Sequence, residues 1–89
     1  MPTYRILRKV GDVTREEVDA AALRAIWCLS DYPAVRWLQS HWDQEAGEIV
    51  CLYEAPNERQ IRDHSESSRI PCDDVRAVEL FSPDDYLHA

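Results

Sequence analysis

His64 is the side chain of this sequence best suited to metal or acid–base chemistry. It follows Ile61 by three residues in a segment with helical character, so it shares the inward or rim face of that helix. An imidazole in such a position serves as a metal ligand or as a general base, with its tautomer fixed by a neighbouring acceptor. The alternative is a histidine near a helix end that donates a hydrogen bond to a strand carbonyl.

Glu54 and His41 complete the set of predicted metal ligands. Glu54 ends the third predicted strand, where its carboxylate either coordinates a cation or orients His64. The alternative for Glu54 is an ion pair with Arg59 or Arg62. His41 lies near the end of the second predicted strand, and its alternative is a solvated strand end. Histidine and carboxylate ligands suit nickel, copper or zinc. No two histidines lie four apart, so a site has to be assembled from distant segments or from two chains.

Cys51, Tyr53 and Trp37 are the candidates for lining a pocket. Cys51 lies in an apolar run and is most simply a small core residue, since nothing adjacent in the sequence supplies the cation or helix N-terminus that stabilises a thiolate. Tyr53 shares its strand face with Cys51 and either packs in the core or presents its phenol to a cavity. Trp37 belongs to the second strand.

Six elements in the order β-α-β-β-α-β have to position these side chains. Thr14 with Glu17, and Asn57 with Gln60, have the spacing of capping boxes that start two helices. The predicted segments are strands over 3–10, 34–43, 49–53 and 74–81, helices over about 14–31 and 57–68, and a polar tail over 82–89. Strict alternation in the second strand places Val35, Trp37, Gln39 and His41 on one face and Arg36, Leu38, Ser40 and Trp42 on the other.

This order predicts an α+β, ferredoxin-like domain over residues 1–89, with a four-stranded antiparallel sheet and two helices on one face. The second face of the sheet carries apolar residues too, because neither alternating set on the inner strands is polar. A single chain cannot cover that face, so we expect two sheets to stack as a homodimer that forms a dimeric α/β barrel. The alternative is coverage by the C-terminal tail.

Trp27 falls almost opposite the apolar stripe of the first predicted helix, which includes Val18, Ala22 and Ala25. A tryptophan on the outer face of a helix is either covered by the tail, with Tyr86 and Leu87 as candidates, or available to a partner. A protein whose only role is contact through Trp27 is a further possibility. His88, in the tail, is expected to be disordered, and a metal bound through the partner subunit is its alternative.

The composition excludes several functional classes. The 89 residues carry 10 Lys and Arg against 17 Asp and Glu, a formal charge of −7, which argues against nucleic acid as a partner. No apolar window is long enough to predict a membrane helix, and no secretory signal is apparent. Three cysteines without a Cys-x-x-Cys motif fit a reduced, cytoplasmic protein. Two glycines in all exclude a glycine-rich phosphate loop.

Three segments, 35–40, 51–58 and 61–64, resemble a family of small domains of unknown function that includes a nickel-binding protein. The resemblance runs from Tyr4 to about Phe81. It implies a ferredoxin-like protomer, a dimeric α/β barrel and binding of nickel or another divalent transition metal. Gln39 stands where the family pattern often has histidine, which removes one candidate ligand. His41 lies two residues on and faces the same side of the strand.

Two hypotheses follow. The first is a dimeric binding protein that holds a divalent transition metal for sensing, buffering or delivery, in which replacing His64 by alanine lowers the affinity. The second is a cofactor-independent enzyme of the dimeric-barrel type, a monooxygenase or isomerase acting on an apolar cyclic substrate. The enzyme requires an enclosed cavity larger than about 300 Å³, lined by Trp37 and Tyr53, with His64 as the base.

Overall fold

The computed structural model describes residues 1–87, which form one four-stranded antiparallel sheet with two main helices. The elements are β1 (Thr3–Lys9), α1 (Arg15–Cys28), β2 (Arg36–Asp43), β3 (Glu48–Glu54), α2 (Glu58–Ser68), β4 (Asp74–Val78) and a short α3 (Asp84–Leu87). The strands lie in the order β2-β3-β1-β4, and every pair is antiparallel. The predicted α+β architecture and element order are confirmed, and the arrangement is compatible with the ferredoxin-like fold.

Side-chain caps start both main helices where the sequence predicts them. The Glu17 N–H donates to Thr14 Oγ1 at 3.1 Å and the Thr14 N–H donates to Glu17 Oε1 at 3.0 Å, which completes a capping box at α1. The Gln60 N–H donates to Asn57 Oδ1 at 3.0 Å at the start of α2. Because the caps satisfy amides that the first helical turn leaves unpaired, both starting points can be read from local sequence.

β2 departs from the predicted alternation. A register shift lies between Trp37 and Gln39, so that Trp37 opposes Tyr53 of β3 while Gln39 opposes the very next residue, Leu52. Leu38 is the extra residue of this bulge, and it reverses the side to which all later residues of β2 point. Beyond the bulge, Ser40 and Trp42 join Trp37 on the helix-covered face, whereas Gln39 and His41 lie on the opposite face with Arg36. The predicted faces of β2 are therefore wrong from Gln39 onward.

The core lies between the sheet and the two helices. Its buried side chains from the sheet are Tyr4, Ile6, Arg8, Cys51, Tyr53 and Val75, and those from the helices include Ala25, Ile61 and His64. The alternate residues form the other side of the sheet, here called the open face: Arg5, Leu7, Val50, Leu52, Val78 and their charged neighbours. The inner strands thus carry apolar residues on both faces, as the sequence predicts.

The C-terminal segment does not cover Trp27. Trp27 is 82% exposed, and the candidate covering residues Tyr86 and Leu87 are themselves largely exposed, so this alternative is wrong for the described part of the chain. β4 ends at Val78 rather than at the predicted Phe81, because β1, its only neighbour, has no residue of the strand left to pair beyond Thr3. His88 lies outside the described residues. None of the described helices is long and apolar enough to cross a membrane.

Candidate functional site

His64 lies between α1 and α2 and is only 1% exposed. Its Nε2 is 2.9 Å from the carbonyl oxygen of Ala25 on α1. A carbonyl oxygen can only accept, so Nε2 carries the proton of the neutral ring. Tyr32 contacts the ring edge-on at 5.8 Å between centroids, and Tyr53 packs against it at 5.7 Å. The imidazole is therefore a hydrogen-bond donor that ties the two helices together, with a helix carbonyl as its acceptor rather than a strand carbonyl.

Burial lowers the pKa of His64 from its ordinary value of 6.5. The hydrogen bond to Ala25 opposes this effect, and the positive charge of Arg8 adds to it. Loss of hydration disfavours the charged imidazolium, so the ring is neutral at pH 7. In this neutral ring, Nε2 carries the proton that is hydrogen-bonded to Ala25. Nε2 is therefore not available as a metal ligand.

The three predicted ligands do not come together within the chain. His64 packs beneath the sheet, whereas Glu54 and His41 lie on the open face. His41 opposes Val50, which is four residues from Glu54 along β3 and so roughly 13 Å away. Within residues 1–87 no group of three or more His, Cys, Asp or Glu side chains is arranged to hold a metal ion.

Glu54 is paired with a different arginine from those predicted. Its Oε1 lies 3.2 Å from Nη1 of Arg36, its cross-strand neighbour in β2. Arg59 and Arg62 instead pair with acidic residues one turn away on α2. The bulge does not affect this contact, because Arg36 precedes Leu38 and keeps the expected side of the strand. His41 is exposed, and its nearest polar partner is the Gln39 amide, with the two Nε2 atoms 3.4 Å apart.

A cavity of about 370 Å³ lies between α1 and the helix-covered face of the sheet, here called the α1 cavity. The predicted pocket residues Trp37, Cys51 and Tyr53 all line it. His64 does not, so the geometry does not place the base of the enzyme hypothesis at the cavity. The cavity is also partly open rather than enclosed.

Arg8 projects from β1 into the core and is only 2% exposed. Its Nε donates to Cys51 Sγ at 3.3 Å, and its Nη1 donates to Ser65 Oγ at 2.9 Å and to the Pro71 carbonyl at 2.8 Å. The guanidinium carbon lies 5.8 Å from the centre of the Tyr53 ring. The remaining nitrogen, Nη2, is buried and has no hydrogen-bond partner among the described residues. A fully buried arginine without a carboxylate partner is unusual in a protein core.

Nothing in the sequence singled out Arg8, although one signal was present. Tyr4, Ile6 and Arg8 have the same parity in β1, so a buried Tyr4 and Ile6 bring Arg8 inside with them. The contact also corrects the expectation that no cation adjoins Cys51, since the guanidinium reaches it from the neighbouring strand. Ser40 Oγ donates to the same sulfur at 2.9 Å.

Tyr53 is held in a dry environment. Burial is the main cause that raises its pKa to about 12, and the nearby Arg8 acts in the opposite direction. Its phenol is therefore neutral at pH 7. The Trp37 ring stacks on Tyr53 with 6.3 Å between centroids and 13° between planes, and Trp37 Nε1 donates to Ser40 Oγ at 2.8 Å. These contacts give the α1 cavity a rigid aromatic wall.

Comparisons with known proteins identify a family model and a solved structure that match this chain. A family model described as nickel responsive protein SCO4226-like matches residues 4–78. Among solved structures, the chain is similar to the crystal structure of SCO4226 from Streptomyces coelicolor A3(2), with a TM-score of 0.79 and 21% sequence identity. The match covers 90% of this chain and 99% of that one. At this identity the likeness shows a shared fold.

Proposed function

Because the chain belongs to the nickel-responsive SCO4226-like family, we propose that it is a small homodimeric protein that binds nickel for sensing, buffering or delivery. The observation that carries this proposal is the family match over residues 4–78, which spans all four strands and both main helices. The resemblance noted in the sequence is thereby confirmed at the level of the family. The nickel ion is the cargo of the proposed activity.

In this proposal, side chains of the open face provide the ligands for the nickel ion. His41 presents an exposed imidazole there and Glu54 a carboxylate, and both ligand types suit nickel. His41 and Glu54 lie too far apart in one protomer to share an ion. The proposed site therefore combines His41 of one copy with metal ligands from the open face of the other copy. His64 stays outside this site, because it is buried on the helix-covered side of the sheet, away from the open face. We therefore assign the imidazole ligand to His41 and a structural role to His64.

The charge pattern of the open face supports pairing with a second copy. Leu7, Val50 and Leu52 form an apolar centre. Around it stand basic residues (Arg5, Lys9, Arg36 and Arg76) and acidic residues (Glu48, Glu54 and Asp74). A two-fold contact sets the same surface against itself, so a patch that carries both signs of charge around an apolar centre can be complementary to its own copy.

Calorimetric titration with nickel tests the site. Wild-type protein is expected to bind the ion, and His41→Ala is expected to lower the affinity by about tenfold or more, since it removes an imidazole ligand. His64→Asn removes the other described histidine from a buried position and is the matched control once circular dichroism shows that it is folded; the folded variant is expected to leave nickel affinity unchanged. Absence of nickel binding by the wild type would refute the proposal, and equal loss in both folded variants would refute the assignment to His41.

Sedimentation equilibrium tests the dimer independently of the metal. Leu52→Arg places a charge in the apolar centre of the open face and is expected to give a monomer. Leu23→Arg makes the same change on the exposed outer surface of α1 and is expected to remain dimeric. A wild-type monomer at micromolar concentration would contradict the shared site.

A further inference from the structure

We propose that the α1 cavity binds a small organic monocarboxylate whose carboxylate group pairs with Arg8. The cavity lies beneath the helix-covered face of the sheet, whereas the proposed nickel donors lie on the open face. The two sites are thus separated by the sheet, and the carboxylate site does not depend on the metal site.

The first argument is the unbalanced charge of Arg8. No ion pair among residues 1–87 includes its guanidinium, whose partners are a thiol, a hydroxyl and a backbone carbonyl. The one carboxylate that lines the cavity, Asp19, pairs at 3.0 Å with Arg15, which also lines it, and both side chains are exposed to solvent. A buried cation normally has an anionic partner, because its loss of hydration is otherwise poorly offset. An anion entering the cavity supplies that partner.

The second argument is a second unused donor beside the same cavity. Trp42 lines the cavity from β2, and its buried Nε1 has no hydrogen-bond partner among the described residues. The other indole at the cavity, that of Trp37, is already bonded to Ser40. A carboxylate has two oxygens that only accept hydrogen bonds, so it is the ligand group whose chemistry complements an unused guanidinium nitrogen or an unused indole N–H. A cation or another hydrogen-bond donor cannot accept a hydrogen bond from the guanidinium or from the indole.

The lining defines the rest of the ligand. Most of the cavity wall is apolar, with Val18, Ala22 and Ala25 from α1 on one side and Ile49, Trp37 and Tyr53 from the sheet on the other. A volume of about 370 Å³ is at the small end of the range for ligand sites, about 300–1,000 Å³, so it suits one aromatic ring or a short aliphatic chain. The Tyr53 phenol is neutral at pH 7, so it interacts with Arg8 without supplying the anionic charge that the guanidinium lacks.

Titration with phenylacetate, in metal-free buffer, tests this proposal directly. Proton–nitrogen correlation spectra report each indole N–H separately, and the Trp42 resonance is expected to shift in a saturable way. The Trp27 resonance serves as the internal control, because that side chain lies exposed on the outer surface of α1. Phenylacetamide has the same body without the charge, and acetate has the charge without the body. Both are expected to bind at least about tenfold more weakly than phenylacetate, because each lacks one part of the recognition.

Substitutions separate the role of Arg8 from general effects of charge. Arg8→Met keeps an unbranched side chain without the guanidinium and is expected to weaken phenylacetate binding by about tenfold or more. Arg59→Met removes one positive charge from an exposed site on α2 and is expected to leave binding unchanged. Trp42→Phe keeps an aromatic ring without the N–H and is expected to weaken binding severalfold. It keeps the proposal testable even where Arg8→Met fails to fold.

Three outcomes would overturn the proposal. These are no saturable binding of phenylacetate, equal binding of phenylacetamide, and binding that both Trp42→Phe and a folded Arg8→Met leave intact. His41→Ala is expected to bind phenylacetate like the wild type, which distinguishes failure of this site from failure of the nickel site. A requirement for nickel in the titration would likewise contradict a separate carboxylate site.

Discussion

Replacing His64 by alanine is expected to destabilise the fold severely without touching the open face. The substitution removes an imidazole that is 1% exposed and packed against Tyr32 and Tyr53. It also leaves the carbonyl of Ala25 without its side-chain donor. Truncating a large buried side chain to alanine costs about 2–5 kcal/mol, and an unsatisfied buried acceptor about 1–3 kcal/mol. Because the two effects share one site and do not add fully, we expect a loss of about 3–5 kcal/mol.

That loss is large relative to the whole stability of the domain. At about 0.05–0.15 kcal/mol per residue, a chain of 89 residues has a free energy of unfolding of about 4–13 kcal/mol. Urea denaturation followed by far-ultraviolet circular dichroism measures the difference. His41→Ala, the same change at an exposed strand position, is expected to stay within about 0.5 kcal/mol of wild type. A loss below about 1 kcal/mol for His64→Ala would refute the structural role given to this histidine.

Two further predictions concern protonation and backbone conformation. The pKa of His64 is lowered in the folded state, so the unfolded chain takes up the proton first and stability falls as the pH drops below 6.5. The loss is at most about 1.4 kcal/mol per pH unit from this group, and urea denaturation across that pH range should show it in wild type relative to His64→Asn. Gly47 has a φ of +68°, and a Cβ atom added at this position would lie 3.1 Å from backbone atoms of Gly11. Gly47→Ala should therefore cost about 2–3 kcal/mol, whereas Gly11→Ala, with open space around it, should cost about 1 kcal/mol; equal losses in thermal denaturation would contradict the steric argument.

The order of the elements was predictable because its determinants are local. Thr14 and Asn57 each start a helix through an amide three residues away. The inner strands are short apolar runs, which need no distant information to be recognised. The dual apolar character of the sheet followed from the same runs.

The arrangement of the site was not predictable, because it depends on contacts between distant segments. Arg8 bonds to Ser65 and Pro71, which lie 57 and 63 residues away. His64 bonds to Ala25, 39 residues away on the other helix. The bulge at Leu38 carries no glycine or proline to mark it, and it arises from the register with β3. One shifted residue was enough to separate His41 from Trp37.

The bulge also affects whether a strand of another molecule can pair with the edge of the sheet. β2 is an edge strand, and an irregularity at Leu38 interrupts the row of free amides and carbonyls that an incoming strand of another molecule would need. β4, the opposite edge, is only five residues long and carries the charged Asp74 and Arg76. Both edge strands therefore disfavour the edge-to-edge addition of strands from other molecules, which is the contact that produces fibres. The two edges of the sheet therefore protect this chain from open-ended polymerisation.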